Sequence, residues 1–201
     1  MLRVLILSII IACSHGIDRT KLWKIPSPMK GFQLQYALGR WFVQYRVAPC
    51  SWEGSNEFQD YELFDSLVSK NFMSVIFTMR NGVCNTINAS AFLTSQPGVI
   101  MLKDPLGNNF SGKLIYLATD YMSFKIIYIC TRMSVLGDKC NDAGLSVYTR
   151  MVKPDGKTIA KINAVLMKMY GVTVDQLQRV IHSKSCIDKQ TLLNHKATQW
   201  W

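Results

Sequence analysis

Tyr36-Ala37-Leu38-Gly39-Arg40-Trp41-Phe42-Val43-Gln44-Tyr45 is the stretch whose reading decides the fold. A short helical approach, Gly31-Phe32-Gln33-Leu34-Gln35-Tyr36, runs into a glycine and then into a strand. Without a Cβ, Gly39 can take a backbone angle that lets the chain turn sharply there. From Trp41 the pattern alternates: Trp41, Val43, Tyr45 and Val47 fall on one side, Phe42, Gln44 and Arg46 on the other. A period of two in aromatic and β-branched residues reads as a half-buried strand.

The following segments repeat that reading. Asn56 to Asp65 reads as a second strand, its alternation broken at Phe58, Tyr61, Leu63 and Phe64 by what looks like a bulge. Asn71 to Asn81 alternates cleanly, with Met73, Val75, Phe77 and Met79 on one side. Asn81-Gly82 is a hairpin signal, and Cys84 to Leu93 returns from it. Pro97-Gly98 turns into Val99 to Lys103, and Asp104 to Asn109 is a turn cluster. Phe110 to Ala118 and Met122 to Cys130 give the sixth and seventh strands, joined by Thr119-Asp120-Tyr121. Leu145 to Met151 is the eighth, after a loop holding Gly137, Cys140 and Gly144. Eight short strands with turn signals between them fit a sandwich or a closed barrel.

After Pro154 the period changes. Ile159, Ile162, Leu166 and Met169 or Tyr170 recur at helical spacing, which predicts a helix over Thr158 to Tyr170. Asp155 or Thr158 suits its N-cap and Gly171 its end. A turn of helix is expected around Asp175 to Val180, and 187–201, without periodicity, reads as a loose tail. Residues 17–30, holding Pro26 and Pro28, read as an extended lead-in.

Composition narrows the function. The chain of 201 residues can build one sizeable core, and 49% hydrophobic with 18% charged residues is globular. Residues 1–16 carry Arg3 and the apolar run Val4 to Ala12, too short to span a bilayer and right for a secretory signal. Cleavage is expected after Gly16, with Ser14 as the alternative. Later segments fall short of the roughly 20 apolar residues of a membrane helix, so a secreted chain without stable membrane insertion is expected. Losing Arg3 lowers the net charge from +10 to +9. Those charges are dispersed and no nucleic-acid motif accompanies them, which argues against a nucleic-acid partner. No Cys-x-x-Cys occurs and histidines are few (His15, His182, His195), so no metal site or cofactor is expected. Asn88-Ala89-Ser90 and Asn109-Phe110-Ser111 match the N-glycosylation sequon.

Three short motifs bring a resemblance to a known family. Gly39-x-Trp41 opens the first strand, Thr119-Asp120-Tyr121 joins the sixth and seventh, and Arg150 lies near the end of the eighth. With a signal segment, eight strands and one helix, the chain resembles the lipocalins over residues 31–186. The run Leu117 to Tyr121 with Tyr128-Ile129-Cys130 resembles the apolipoprotein D and bilin-binding, invertebrate-type branch. The resemblance implies an all-β fold: an eight-stranded antiparallel up-and-down barrel with one C-terminal helix outside. It assigns Trp41 and Arg150 a structural role at the closed end, a guanidinium against an indole. Asp120 is expected to accept backbone N–H bonds in its own turn.

Such a barrel either fills with its own side chains or holds one small ligand. If Lys125 faces water, Met122, Phe124, Ile126 and Tyr128 face in. If Asn88 faces out, Ile87, Ala89, Ala91 and Leu93 face in. The same parity puts Tyr45, Val75, Phe77, Leu114, Tyr116, Val147 and Thr149 inside. The function expected is extracellular carriage of a small hydrophobic ligand such as a fatty acid, retinoid or bilin. The rivals are a protein-binding role for a loop such as Trp52 to Ser55 and sequestration of a small amine. Amine capture needs an inward carboxylate, for which Asp60 or Glu62 qualifies only if the second strand turns it inward. No catalytic constellation is present, so an enzyme is not expected. Family precedent implies Cys84–Cys186 and Cys130–Cys140 bridges, leaving Cys50 unpaired, with Cys50–Cys140 as the rival. The apolipoprotein D pattern instead pairs Cys130 with a cysteine before the first strand, absent after residue 16.

Overall fold

The computed structural model describes residues 17–51, 59–103 and 112–187. The expected signal segment, the Trp52 to Ser55 loop, the Asn109 sequon and residues 188–201 lie outside the described residues. Two helical turns, α1 (Thr20–Trp23) and α2 (Leu34–Ala37), precede β1 (Gly39–Val47). Then come β2 (Gln59–Ser69), β3 (Phe72–Asn81), β4 (Val83–Leu93), β5 (Val99–Lys103) and β6 (Gly112–Thr119). The chain continues through β7 (Phe124–Met133), β8 (Cys140–Thr149), α3 (Gly156–Tyr170), a 3-10 turn (Val174–Gln176) and the two-residue β9 (Gln178–Arg179).

Neighbouring strands pair antiparallel in chain order, and β1 pairs with both β2 and β8, so the sheet closes on itself as an eight-stranded barrel. Closure leaves the eight strands no open edge. At the seam Gly144 is required: a Cβ there would lie 2.6 Å from Pro49 Cδ and 2.7 Å from the Val47 carbonyl oxygen. That glycine reads as a loop residue in the sequence, yet it sits inside β8, which begins at Cys140 rather than Leu145. The turn of helix expected around Asp175 to Val180 is the 3-10 turn Val174–Gln176, and β9 after it pairs with Tyr45 and Arg46 of β1.

The helix forms where the 3.6-residue period places it. Asp155 caps it, accepting from the Thr158 N–H at 2.7 Å, and Gly171 ends it in the left-handed region at φ 67°. Its buried face (Ile162, Leu166, Tyr170) packs on the outer face of the barrel against Ile126, Tyr128 and Val147. Leu22 of α1 joins that layer, and the Tyr128 hydroxyl donates to the Leu22 carbonyl at 2.7 Å. The lead-in is therefore not wholly extended. A second apolar layer, including Trp41, Val75, Phe77 and Ile127, faces the barrel interior.

These two layers correct the parity expected for three strands. Phe124, Ile126 and Tyr128 face α3, whereas Lys125, Ile127 and Ile129 of β7 face inward. Because β7 is apolar on both faces, only Lys125 carried a parity signal, and its charge is matched inside the barrel by Asp65. Met122 lies 81% exposed in the turn. A register shift between Val43 and Tyr45 turns Tyr45 from the interior to the α3 side. Val147 follows it there; Thr149, on the same face of β8, bonds to the Met151 carbonyl, and Tyr148 points inward instead.

Two disulfides join described residues: Cys84–Cys186, with Cα atoms 5.5 Å apart, and Cys130–Cys140, with Cα atoms 5.8 Å apart. Cys50, which the family precedent leaves unpaired, is disulfide-bonded, and no described cysteine is free. Among the described residues no helix is long and apolar enough to cross a membrane.

Candidate functional site

The closed end of the barrel is built around Trp41. Its indole N–H donates to the Ala37 carbonyl at 2.8 Å, and the Arg150 guanidinium lies 3.6 Å from its ring centroid. Arg150 in turn donates to the carbonyls of Arg40 at 2.9 Å and Leu38 at 2.8 Å, with weaker bonds to Tyr36 and Tyr121. Gly39 holds φ 94°, and a Cβ on it would come within 3.3 Å of Arg150 Nη1. One planar cation thus stitches the approach to β1 onto the turn between β6 and β7. Lysine has a single charged tip and no fork to make these bonds. Arg150→Lys is therefore expected to lower stability by about 1–3 kcal/mol, read from urea unfolding.

The Thr119-Asp120-Tyr121 turn completes the floor. Thr119 Oγ1 donates to the Phe124 carbonyl at 2.6 Å and accepts from the Tyr121 N–H at 2.8 Å. Asp120 accepts from the Ser123 and Phe124 N–H groups at 2.7 and 3.1 Å, and from Lys161 of α3 at 2.8 Å. Burial opposes its ionisation, but bonds from Lys161 and Ser123 outweigh that and hold the carboxyl well below the usual range. A depressed carboxylate stabilises the fold above its unfolded value and loses that contribution on acidification. Stability should fall as pH drops below about 4, and Asp120→Asn should flatten that decline in a pH series of thermal melts. Tyr121, at φ 64°, packs its ring by Phe32 and Tyr36, and its hydroxyl accepts from the Gln33 N–H.

Above the floor lies the cup. Val75, Phe77, Leu114 and Tyr116 line it, with Tyr61, Leu63, Ile127 and Ile129 beside them. Ile87 and Ala89 belong to the same interior layer without lining the cup. Its interior leaves only about 20 Å³ for the centre of a water-sized body; the 420 Å³ of non-atom space around it includes open solvent at the mouth. Bulky rings from Tyr61, Phe77, Tyr116 and Tyr148 keep it slender. Burial pushes the Tyr61 hydroxyl up to about 12, and those of Tyr116 and Tyr148 well above their ordinary value, so all three keep their protons.

Buried charges in and against the barrel interior were not foreseen: Arg46, 5.8 Å from the Tyr61 ring centroid, and the pair Asp65 and Lys125. Asp65 lines the cup, and Lys125 Nζ donates to its Oδ2 at 2.6 Å with both side chains buried. The ammonium also lies 4.8, 5.6 and 5.2 Å from the ring centroids of Trp41, Tyr116 and Tyr148. Burial raises the Asp65 carboxyl and lowers Lys125 to about 8, each partly offset by the other. The signal for Asp65 was present: it shares parity with Tyr61 and Leu63. Asp60 and Glu62 have the opposite parity. Asp60 binds Arg80, Ser183 and Lys184, and Glu62 binds Arg40, so neither reaches the cup.

Solved structures share this arrangement of barrel and outer helix. The cockroach allergen Per a 4 superposes with a TM-score of 0.63 at 16% identity, covering 80% of this chain and 95% of its own. This is the lipocalin fold. Apocrustacyanin C1 matches with a TM-score of 0.60 at 15% identity over 91% of this chain and 93% of that one. Lobster apocrustacyanin A1 gives 0.57 at 15% over 85% and 88%. No family model and no curated protein matches the chain. Within the lipocalin fold, Gly39, Trp41 and Arg150 come together at the floor with the Thr119-Asp120-Tyr121 turn.

Proposed function

We propose that the protein is a secreted, non-enzymatic binding protein that carries one slender, mainly apolar ligand in its barrel. The observation that carries this reading is an apolar cup sealed at one end by Trp41 and Arg150 and lined by side chains from β2 to β8. A mostly apolar lining with a few placed polar groups is typical of small-molecule sites. Fatty acids, retinoids and bilins are the probe classes to try, the slender ones first. His182, the one histidine among the described residues, lies 2.8 Å from the Val43 carbonyl oxygen, which supports a non-catalytic role. Secretion agrees with the Cys84–Cys186 and Cys130–Cys140 bridges, which favour an oxidising compartment. Asn88 is exposed on the outer face of β4 and is the proposed glycan acceptor among the described residues.

The test is titration of the delipidated protein with fluorescent probes of each class, together with native mass spectrometry of protein from its secreting host. A retained or titratable ligand at one per chain is expected. A protein silent to every probe class, with no retained mass, contradicts the proposal.

A further inference from the structure

We infer that the cup selects a ligand with a neutral hydrogen-bonding head, a hydroxyl or primary amide, which docks on Asp65 at the floor. The inference rests on the proposed carrier function and specifies the head group of its ligand. Among the described residues lining the cup, Asp65 is the only charged one. Lys125, its partner, does not line the cup; its ammonium lies among the rings of Trp41, Tyr116 and Tyr148. An entering ligand therefore meets a carboxylate and not an ammonium.

Lys125 Nζ is the only described side-chain donor to Asp65, and it takes Oδ2. Among the described residues no side chain donates to Oδ1, which can accept. A hydroxyl or amide head can donate to that oxygen. Its own oxygen can accept from Tyr116, whose hydroxyl stays protonated on the cup wall. A carboxylate head would set a second anion against Asp65 in a water-poor site, where repulsion is poorly screened. An ammonium head would gain Asp65 but add a third cation to Lys125 and Arg150, both of which act on Asp65. Sites that bind a buried polar group discriminate strongly against analogues that cannot pair with it.

The experiment compares 1-dodecanol, dodecanoate and dodecylamine, one chain with three heads, by calorimetric titration of the intact protein near neutral pH. The alcohol is expected to bind at least about tenfold tighter than either charged compound, a difference of about 1.4 kcal/mol. The double variant Asp65→Leu/Lys125→Met removes the head-group anchor without stranding a charge. In it the alcohol's advantage should shrink to less than about threefold. A smaller or reversed preference in the natural protein, or a preference that survives in the double variant, overturns the inference. So does a protein that binds apolar fluorescent probes and none of the dodecyl compounds; in each case the carrier reading stands. If the apolar probes also fail to bind, the carrier reading itself is lost.

Discussion

Asp65→Leu is expected to destabilise the protein by about 3–5 kcal/mol, because it strands the Lys125 ammonium in a buried site. Lys125 is fully buried, and Asp65 is its hydrogen-bond partner at 2.6 Å. Three aromatic rings around the ammonium offer some compensation, on the order of 1–2 kcal/mol each when desolvated, but no second anion. The double replacement Asp65→Leu/Lys125→Met should behave oppositely. Desolvating two charges costs about as much as their attraction returns, so exchanging both for apolar groups is often neutral or stabilising by about 1–4 kcal/mol. Urea unfolding at neutral pH separates the outcomes. Equal losses in the single and double variants would mean that the ammonium does not depend on Asp65.

The second large effect belongs to the Cys84–Cys186 bridge, which closes a sequence separation of 102 residues. In the chain-entropy account a loop of that size stabilises by about 4.7 kcal/mol, against about 2.7 kcal/mol for the 10-residue separation of Cys130–Cys140. The long bridge also fixes the segment after α3 onto the barrel. Ser183 and Lys184 bond Asp60 there, Ser185 bonds Arg40, and Ile187 packs with Phe64 and Ile76. Replacing Cys84 and Cys186 by Ala should therefore cost more than replacing Cys130 and Cys140. Thermal melts of the two double variants test the order, and a larger loss for the short bridge would contradict it.

The barrel was legible because its strands announce themselves locally: the clean alternation of Met73 to Met79, the Asn81-Gly82 turn and the motif at Gly39 and Trp41 all act within a few residues. The interior of β3, β4 and β6 followed from the same alternation. The lining of β7 and β8 did not, for a physical reason. These strands lie between the cup and α3, so Phe124 through Cys130 are all buried and carry no polar face to set parity. Lys125 was the one cue, and the ordinary expectation that lysine seeks water failed because Asp65, sixty positions away in sequence, neutralises it. Tyr45 was misplaced by a bulge that no residue type betrays. Long-range pairing, not local propensity, decided these cases.

Filling the cup tests the central claim most directly. Ala91 is completely buried and lines the cup, whereas Ala160 sits on the exposed face of α3. With the fold of both variants checked by circular dichroism, the measurement is titration with whichever apolar probe the natural protein binds. A ligand held inside the barrel predicts at least about a tenfold loss of affinity in Ala91→Trp and none in Ala160→Trp. Undiminished binding by Ala91→Trp would place the ligand outside the barrel and contradict the account.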